Sequence, residues 1–275
     1  MAESETEHAL ATWGSGTRAA DATRTGDIVL KSSGPWAPSV LALLRHLEEV
    51  GFAGAPRVVG DGYAADGRMA VSFVPGESPH PRAWDDHRVG GVGGLLRDLH
   101  LATSSFAASA GAQWKTTWLH ETYASGDMVV GHGDAAPWNI VGRHGSAHAL
   151  VDWECAGPID RLTELAYAVW LNAQLHDDDI AERQGLPDAA TRAGQAHTIL
   201  DAYGLAPARR ADIVDRMIEL AIHAARAEAL SAKVTPESES AVDTDGYPVL
   251  WAITWRARSA SWMIHNRALL LRPRS

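Results

Sequence analysis

His132, Asp134, Asn139 and Asp152 are the residues of this chain whose types and spacing could do chemistry together. The first three fall in His132-Gly133-Asp134-Ala135-Ala136-Pro137-Trp138-Asn139, and Asp152 opens Asp152-Trp153-Glu154 a little further on. Two carboxylates and an amide on successive loops suit phosphoryl transfer. One carboxylate accepts or orients a hydroxyl proton, while a loop amide and a second carboxylate hold Mg²⁺ against nucleotide phosphates. A hydrolytic metal site is the competing chemistry, with His132, Asp134, His144, His148 and Asp152 as candidate ligands. However, His144-Gly145-Ser146-Ala147-His148 reads as an exposed hairpin turn, which leaves its histidines in solvent. A plain turn made by Asp134 and Asn139, both turn-favouring types, would leave the matching Asp152-Trp153-Glu154 unexplained. Cys155 has no evident basic partner and reads as a small buried residue.

The elements that must position these residues divide the chain in two. Strand-like runs, Thr17–Thr25, Asp27–Ser32, Arg57–Asp61 and Arg68–Val74, crowd its first quarter. Among them lies one amphipathic helix, with Val40, Leu43, Leu44, Leu47 and Val50 on a single stripe. Pro75-Gly76, followed by Pro79 and Pro81, marks a linker. Beyond it the periodicity is helical: Val92 to Leu99, Leu162 to Val169, Ile213 to Ala224, and a last helix from about Val249 to Leu271. Apolar pairs precede both His132-Gly133-Asp134 and Asp152, so each acid is expected where a short buried strand ends.

On His132-Gly133-Asp134, Pro137, Asn139, Asp152-Trp153-Glu154, Gly157-Pro158 and Glu164-Leu165-Ala166, the chain resembles the aminoglycoside phosphotransferase and choline-kinase-like small-molecule kinases. Glu164 departs from that family, which more often has Asp there. The resemblance implies an α+β, two-lobed protein-kinase-like fold. Its N-terminal lobe, residues 1–75, would be a small antiparallel sheet with one helix that binds nucleotide. Residues 76–275 would form a larger, mainly helical lobe for catalysis and acceptor binding. Asp134 would be the catalytic base, Asn139 and Asp152 the Mg²⁺ ligands, and His132 a scaffold fixing the loop.

The same resemblance sets expectations for ATP, with GTP as the alternative. Gly14-Ser15-Gly16 stands where a phosphate-covering loop would lie, upstream of Lys31, whose ammonium suits the α- and β-phosphates. Ser72, Phe73 and Val74 would be the hinge beside adenine. The helix after Lys31 lacks the expected inward glutamate; its only acids, Glu48 and Glu49, are in the last turn. On the acceptor side, Glu154, Asp177, Asp178 and the acidic run Glu237, Glu239, Asp243 and Asp245 could receive ammonium groups. Trp114, Trp118, Trp251, Trp255 and Trp262 could offer ring faces to a cation, although helical spacing favours core packing for the last three.

Composition bounds the partners. The 275 residues carry a net charge of −10, which argues against nucleic acid and is compatible with a cationic ligand. A single cysteine excludes an intramolecular disulfide. The acidic start lacks a signal-like apolar core, and no apolar run reaches the roughly 20 residues of a membrane span, so a cytoplasmic protein is expected. The expected activity is ATP-dependent phosphorylation of a hydroxyl on a cationic antibiotic, either an aminoglycoside or a basic peptide of the tuberactinomycin type, conferring resistance. A metabolic amino-alcohol or sugar kinase, or a nucleotide-binding protein without turnover, remains the alternative. Oligomeric state is not encoded legibly.

Overall fold

The computed structural model describes residues 8–9, 22–122, 126–242 and 246–272. The first part is one antiparallel sheet. Strands β1 (His8–Ala9), β2 (Ala22–Thr25) and β3 (Ile28–Lys31) are followed by helix α1 (Ala37–Glu49), β4 (Val58–Tyr63) and β5 (Met69–Ser72). Their order in the sheet is β1-β2-β3-β5-β4. Gly26, at φ +58°, lets the chain reverse between β2 and β3. Val40, Leu43, Leu44 and Leu47 of α1 are buried, as their spacing requires, whereas Val50 of the expected stripe follows the helix end and is exposed.

After the Pro75-Gly76 segment come α2 (Gly90–Ala102), α3 (Trp118–Glu121) and β6 (Met128–Gly131). Next follow β7 (Ile140–Arg143), β8 (Ser146–Leu150), β9 (Gly157–Asp160) and α4 (Arg161–Asn172). The chain ends in α5 (Asp178–Gln184), α6 (Ala189–Tyr203), α7 (Arg210–Ser231), α8 (Val249–His265) and α9 (Arg267–Leu271). Two small antiparallel pairs, β6 with β9 and β7 with β8, interrupt the helices. Among the described residues, no helix is long and apolar enough to cross a membrane.

Two elements of the helical part also depart from the sequence-based expectation. The last helix is two helices, broken at Asn266, where the Trp262 carbonyl accepts both the Asn266 backbone amide (2.9 Å) and its side-chain amide (3.1 Å). Helix α6 escapes periodicity because it buries polar residues whose partners lie far away in the sequence. Arg192 donates to the carbonyls of Gln174 (3.0 Å) and His176 (2.6 Å). Gln195 donates to Asp86 (2.5 Å), and His197 to the Leu270 carbonyl (2.6 Å).

His176 lies where the segment after α4 meets α8, 9% exposed, with Nδ1 3.3 Å from Ser259 Oγ and its ring edge-on to Trp255. Burial, then the charges of Arg192 and His80, push its pKa from 6.5 down to about 3. Between those values the unfolded chain binds a proton that the folded chain refuses. Stability is therefore lost as pH falls below that unfolded value, by about 1.4 kcal/mol per pH unit for this residue. Thermal melts from pH 7 to pH 5 should show a falling Tm, and His176→Asn should flatten that slope. An identical slope in the variant would contradict the assignment.

Candidate active site

Strand β6 ends at Gly131, and the next residue, His132, is fully buried. Its Nε2 donates to the Val151 carbonyl (2.9 Å), and its Nδ1 accepts the Asp134 amide (3.3 Å). This bonding needs a neutral ring. Burial supplies one by lowering the His132 pKa against the opposing charges of Glu164, Asp134 and Asp152. His132 thus ties the loop after β6 to the chain just before Asp152. The Trp153 ring packs edge-on against it, centroids 4.9 Å apart.

Asp134 is held at both carboxylate oxygens. Oδ2 accepts Asn139 Nδ2 (2.8 Å), which also donates to the Asp134 carbonyl (3.0 Å). Oδ1 accepts the Tyr167 hydroxyl (2.7 Å). Burial raises the Asp134 pKa, opposed by the Tyr167 hydrogen bond and His132, with Asp152 adding to the rise. The carboxylate is therefore more basic than a solvated one. Asn139 sits in a short 3₁₀ turn, Pro137–Asn139, and is 2% exposed. Its amide nitrogen is committed to Asp134, so its Oδ1 is the atom it presents elsewhere.

The second loop follows the β7–β8 hairpin, whose turn carries His144 and Gly145, both exposed. Asp152 adopts the left-handed conformation (φ +65°, ψ +63°), rare outside glycine. It turns the chain into the 3₁₀ segment Trp153–Cys155, closed by Trp153 Nε1 donating to the Leu150 carbonyl (2.9 Å). Lys31, at the end of β3, forms an ion pair with Asp152 Oδ1. The acid that the helix after Lys31 does not supply is therefore Asp152. The paired groups are both mostly buried, with side chains 15% and 20% exposed.

Asn139 Oδ1 and the Asp152 carboxylate are oxygen donors, a chemistry that fits a hard cation such as Mg²⁺ better than a transition metal. Among the described residues, no three His, Cys, Asp or Glu side chains cluster as a metal site. Burial and the Asp134 charge push the Cys155 thiol up to about 12, so it is no nucleophile at neutral pH.

Other singled-out residues have partners within the chain. Glu154 Oε1 accepts Lys115 Nζ (2.6 Å). Asp177 caps α5 and accepts Arg258 Nε (2.8 Å), while Asp178 accepts Arg192 Nη2 and Trp262 Nε1 (both 2.8 Å). These three acids are already matched by cations. Ser72 donates its amide to the Arg57 carbonyl (2.7 Å) and Phe73 its amide to the Asp27 carbonyl (2.7 Å). Both of those N–H groups are engaged inside the sheet, and Val74 is half-buried beside them. Glu237 and Glu239 are exposed. Gly14, Ser15, Gly16, Asp243 and Asp245 lie outside the described residues.

Sequence reasoning missed the part played by α4. Glu164, fully buried, accepts the Gly133 amide at Oε1 (2.7 Å) and binds His100 at Oε2 (2.7 Å). His100 in turn meets the Tyr203 hydroxyl (2.7 Å). Burial opposes the Glu164 charge, but His100 and the Gly133 amide hold its pKa below the usual value. Asn172 of the same helix donates to the Ala135 carbonyl (3.0 Å). Glu164, Tyr167 and Asn172 thus grip residues 133, 134 and 135 in order. The helical spacing of 164 and 167 was visible in the sequence, but nothing there said that this face met the loop.

Two glycines make room for the grip. A Cβ on Gly131 would come within 2.0 Å of Glu164 Oε2, and one on Gly133, at φ +76°, within 2.0 Å of the Cys155 carbonyl oxygen. Gly133→Ala should therefore cost about 1–3 kcal/mol of stability through overpacking and backbone strain. Urea denaturation measures this, and an unchanged midpoint would contradict the packing described.

Residues 103–213 match the phosphotransferase enzyme family. The chain is 48% identical over 248 residues to the trifolitoxin immunity protein of Rhizobium leguminosarum bv. trifolii, covering 90% of this chain and 92% of that one. Its fold is similar to a choline/ethanolamine kinase family protein from Mesorhizobium loti, with TM-score 0.59 and 14% identity over 98% of this chain and 94% of that one. It is also similar to an amicoumacin kinase in complex with AMP-PNP and Ca²⁺, with TM-score 0.62 and 14% identity over 94% and 89%. The antiparallel sheet with one helix, followed by a mainly helical part, is accordingly a kinase-like fold. The chain belongs to the phosphotransferase enzyme family.

Proposed function

We propose that this enzyme transfers the γ-phosphoryl group of ATP to a hydroxyl of a cationic antibiotic or toxin and so protects the cell that makes the enzyme. The reading rests on one observation above all. Asp134 and Asn139 are hydrogen-bonded in one loop, His132 ties that loop to the strand leading into Asp152, and Lys31 reaches Asp152 from the sheet. The name of the 48% identical relative, an immunity protein, supports a toxic acceptor. The net charge of −10 favours a cationic one.

Residues 1–75 would hold the nucleotide and residues 76–275 the acceptor. Lys31 would bind the phosphates as a point charge, and Asn139 and Asp152 would hold the metal, which neutralises phosphate charge when bound. Asp134 would accept a hydrogen bond from the acceptor hydroxyl and take its proton as the oxygen attacks phosphorus. Its half-buried, more basic carboxylate suits that task. His132 would keep the two loops in register without touching substrate.

The roles of the two aspartates are separable. Asp134→Asn should lower kcat by about 10²- to 10⁴-fold while Mg²⁺–nucleotide affinity stays near wild type. Asp152→Asn should weaken nucleotide binding and turnover together, because it removes charge from the metal site. Calorimetric nucleotide titration beside steady-state kinetics reads both. Full turnover in Asp134→Asn would overturn the mechanism.

A further inference from the structure

We propose that Tyr167 is a positioning residue for the phosphoryl transfer, setting the orientation of the Asp134 carboxylate through its hydroxyl. This rests on Asp134 acting as the base. The argument begins with the helix. Glu164 and Tyr167 are three residues apart on α4 and so share a face. Glu164 takes the backbone amide of Gly133, and one turn later Tyr167 takes the side chain of the next residue, Asp134. The helix thereby fixes first where the loop runs and then which way its carboxylate faces.

A carboxylate held at one oxygen can still rotate about its Cβ–Cγ bond. Asn139 holds Oδ2 from within the loop, and Tyr167 holds Oδ1 from outside it, at 2.8 and 2.7 Å. Together they fix the plane of the group. The tyrosine itself is braced: Trp118 and Trp170 meet its ring edge-on or nearly so, with centroids 6.0 and 6.3 Å away. Burial and the neighbouring Asp134 charge raise the phenol pKa well above its ordinary value, so the hydroxyl remains a donor across the working pH range. Its O–H meets Oδ1 with the same donor chemistry that an acceptor hydroxyl would bring. An acceptor must therefore approach a carboxylate whose remaining lone pairs are already aimed.

Misplacing a reacting group by about 1 Å can cost on the order of 10²-fold in rate. Tyr167→Phe removes the hydroxyl and leaves the ring. It should lower kcat about 10- to 100-fold, leave the nucleotide KM within about 2-fold, and leave Tm near wild type. The decisive arm is a double-mutant cycle. If Tyr167 acts through Asp134, adding Tyr167→Phe to Asp134→Asn should change the residual turnover by less than about 2-fold. The same loss in both backgrounds, or full kcat in Tyr167→Phe alone, would overturn the proposal. A crystal structure of Tyr167→Phe adds a readout independent of turnover, with the Asp134 carboxylate rotated and the loop backbone unmoved. An unrotated carboxylate would also overturn it. Absence of phosphoryl transfer by the wild-type enzyme would instead be a failure of the functional reading, separate from the outcome of this crystal structure.

Discussion

The hydrogen bond from the Gly133 amide to the buried Glu164 carboxylate is the contact on which the rest of the site depends. A charge out of water is costly unless it is paired and hydrogen-bonded, and Glu164 meets that condition through His100 as well as Gly133. The pairing fixes the helix against the loop at one point. Tyr167 and Asn172 then act from the same helix on the next two residues. Because Gly131 and Gly133 carry no Cβ, the carboxylate and the Cys155 carbonyl can occupy the space beside them. Glu164 reaches both the loop amide and His100.

The second constraint joins sheet to helices. His132 bonds the chain before Asp152, and Asp152 bonds Lys31 across from β3. The segment after the sheet is clamped as well: Glu77 and Gly142 exchange backbone hydrogen bonds of 3.1 and 2.8 Å, and Ser78 donates to the Pro137 carbonyl (2.8 Å). Sheet, linker and both loops are therefore mechanically continuous. The left-handed backbone at Asp152 belongs to this arrangement, since it turns the chain sharply at the residue that Lys31 meets.

Much of this was legible in the sequence where residue type and period agree. The α1 stripe, the β2–β3 hairpin and the strand ends before His132 and near Asp152 follow from local signals. The resemblance carried by His132-Gly133-Asp134 and Asp152-Trp153-Glu154 led to the correct family. What escaped was polar and non-local. Helix α6 presents Arg192, Gln195 and His197 inward, so its apolar stripe is broken. The break at Asn266, between α8 and α9, lies inside one continuous helical period. Tyr167 is 33 residues from the carboxylate it holds and Lys31 is 121 from its acid, separations at which spacing carries no signal. The acids at 154, 177 and 178 invited a ligand in the sequence, and only the fold revealed the cations that pair them.

In the proposed function this loop pair moves a phosphoryl group onto an alcohol under the control of Asp134. Incubation with γ-labelled ATP, Mg²⁺ and a panel of cationic hydroxyl-bearing antibiotics tests it most directly, with the label followed by chromatography. Label should appear as a phosphate ester on at least one acceptor with the wild-type enzyme, and fall by about two orders of magnitude or more with Asp134→Asn. Label released only as free phosphate, or transferred equally well by the variant, would contradict it.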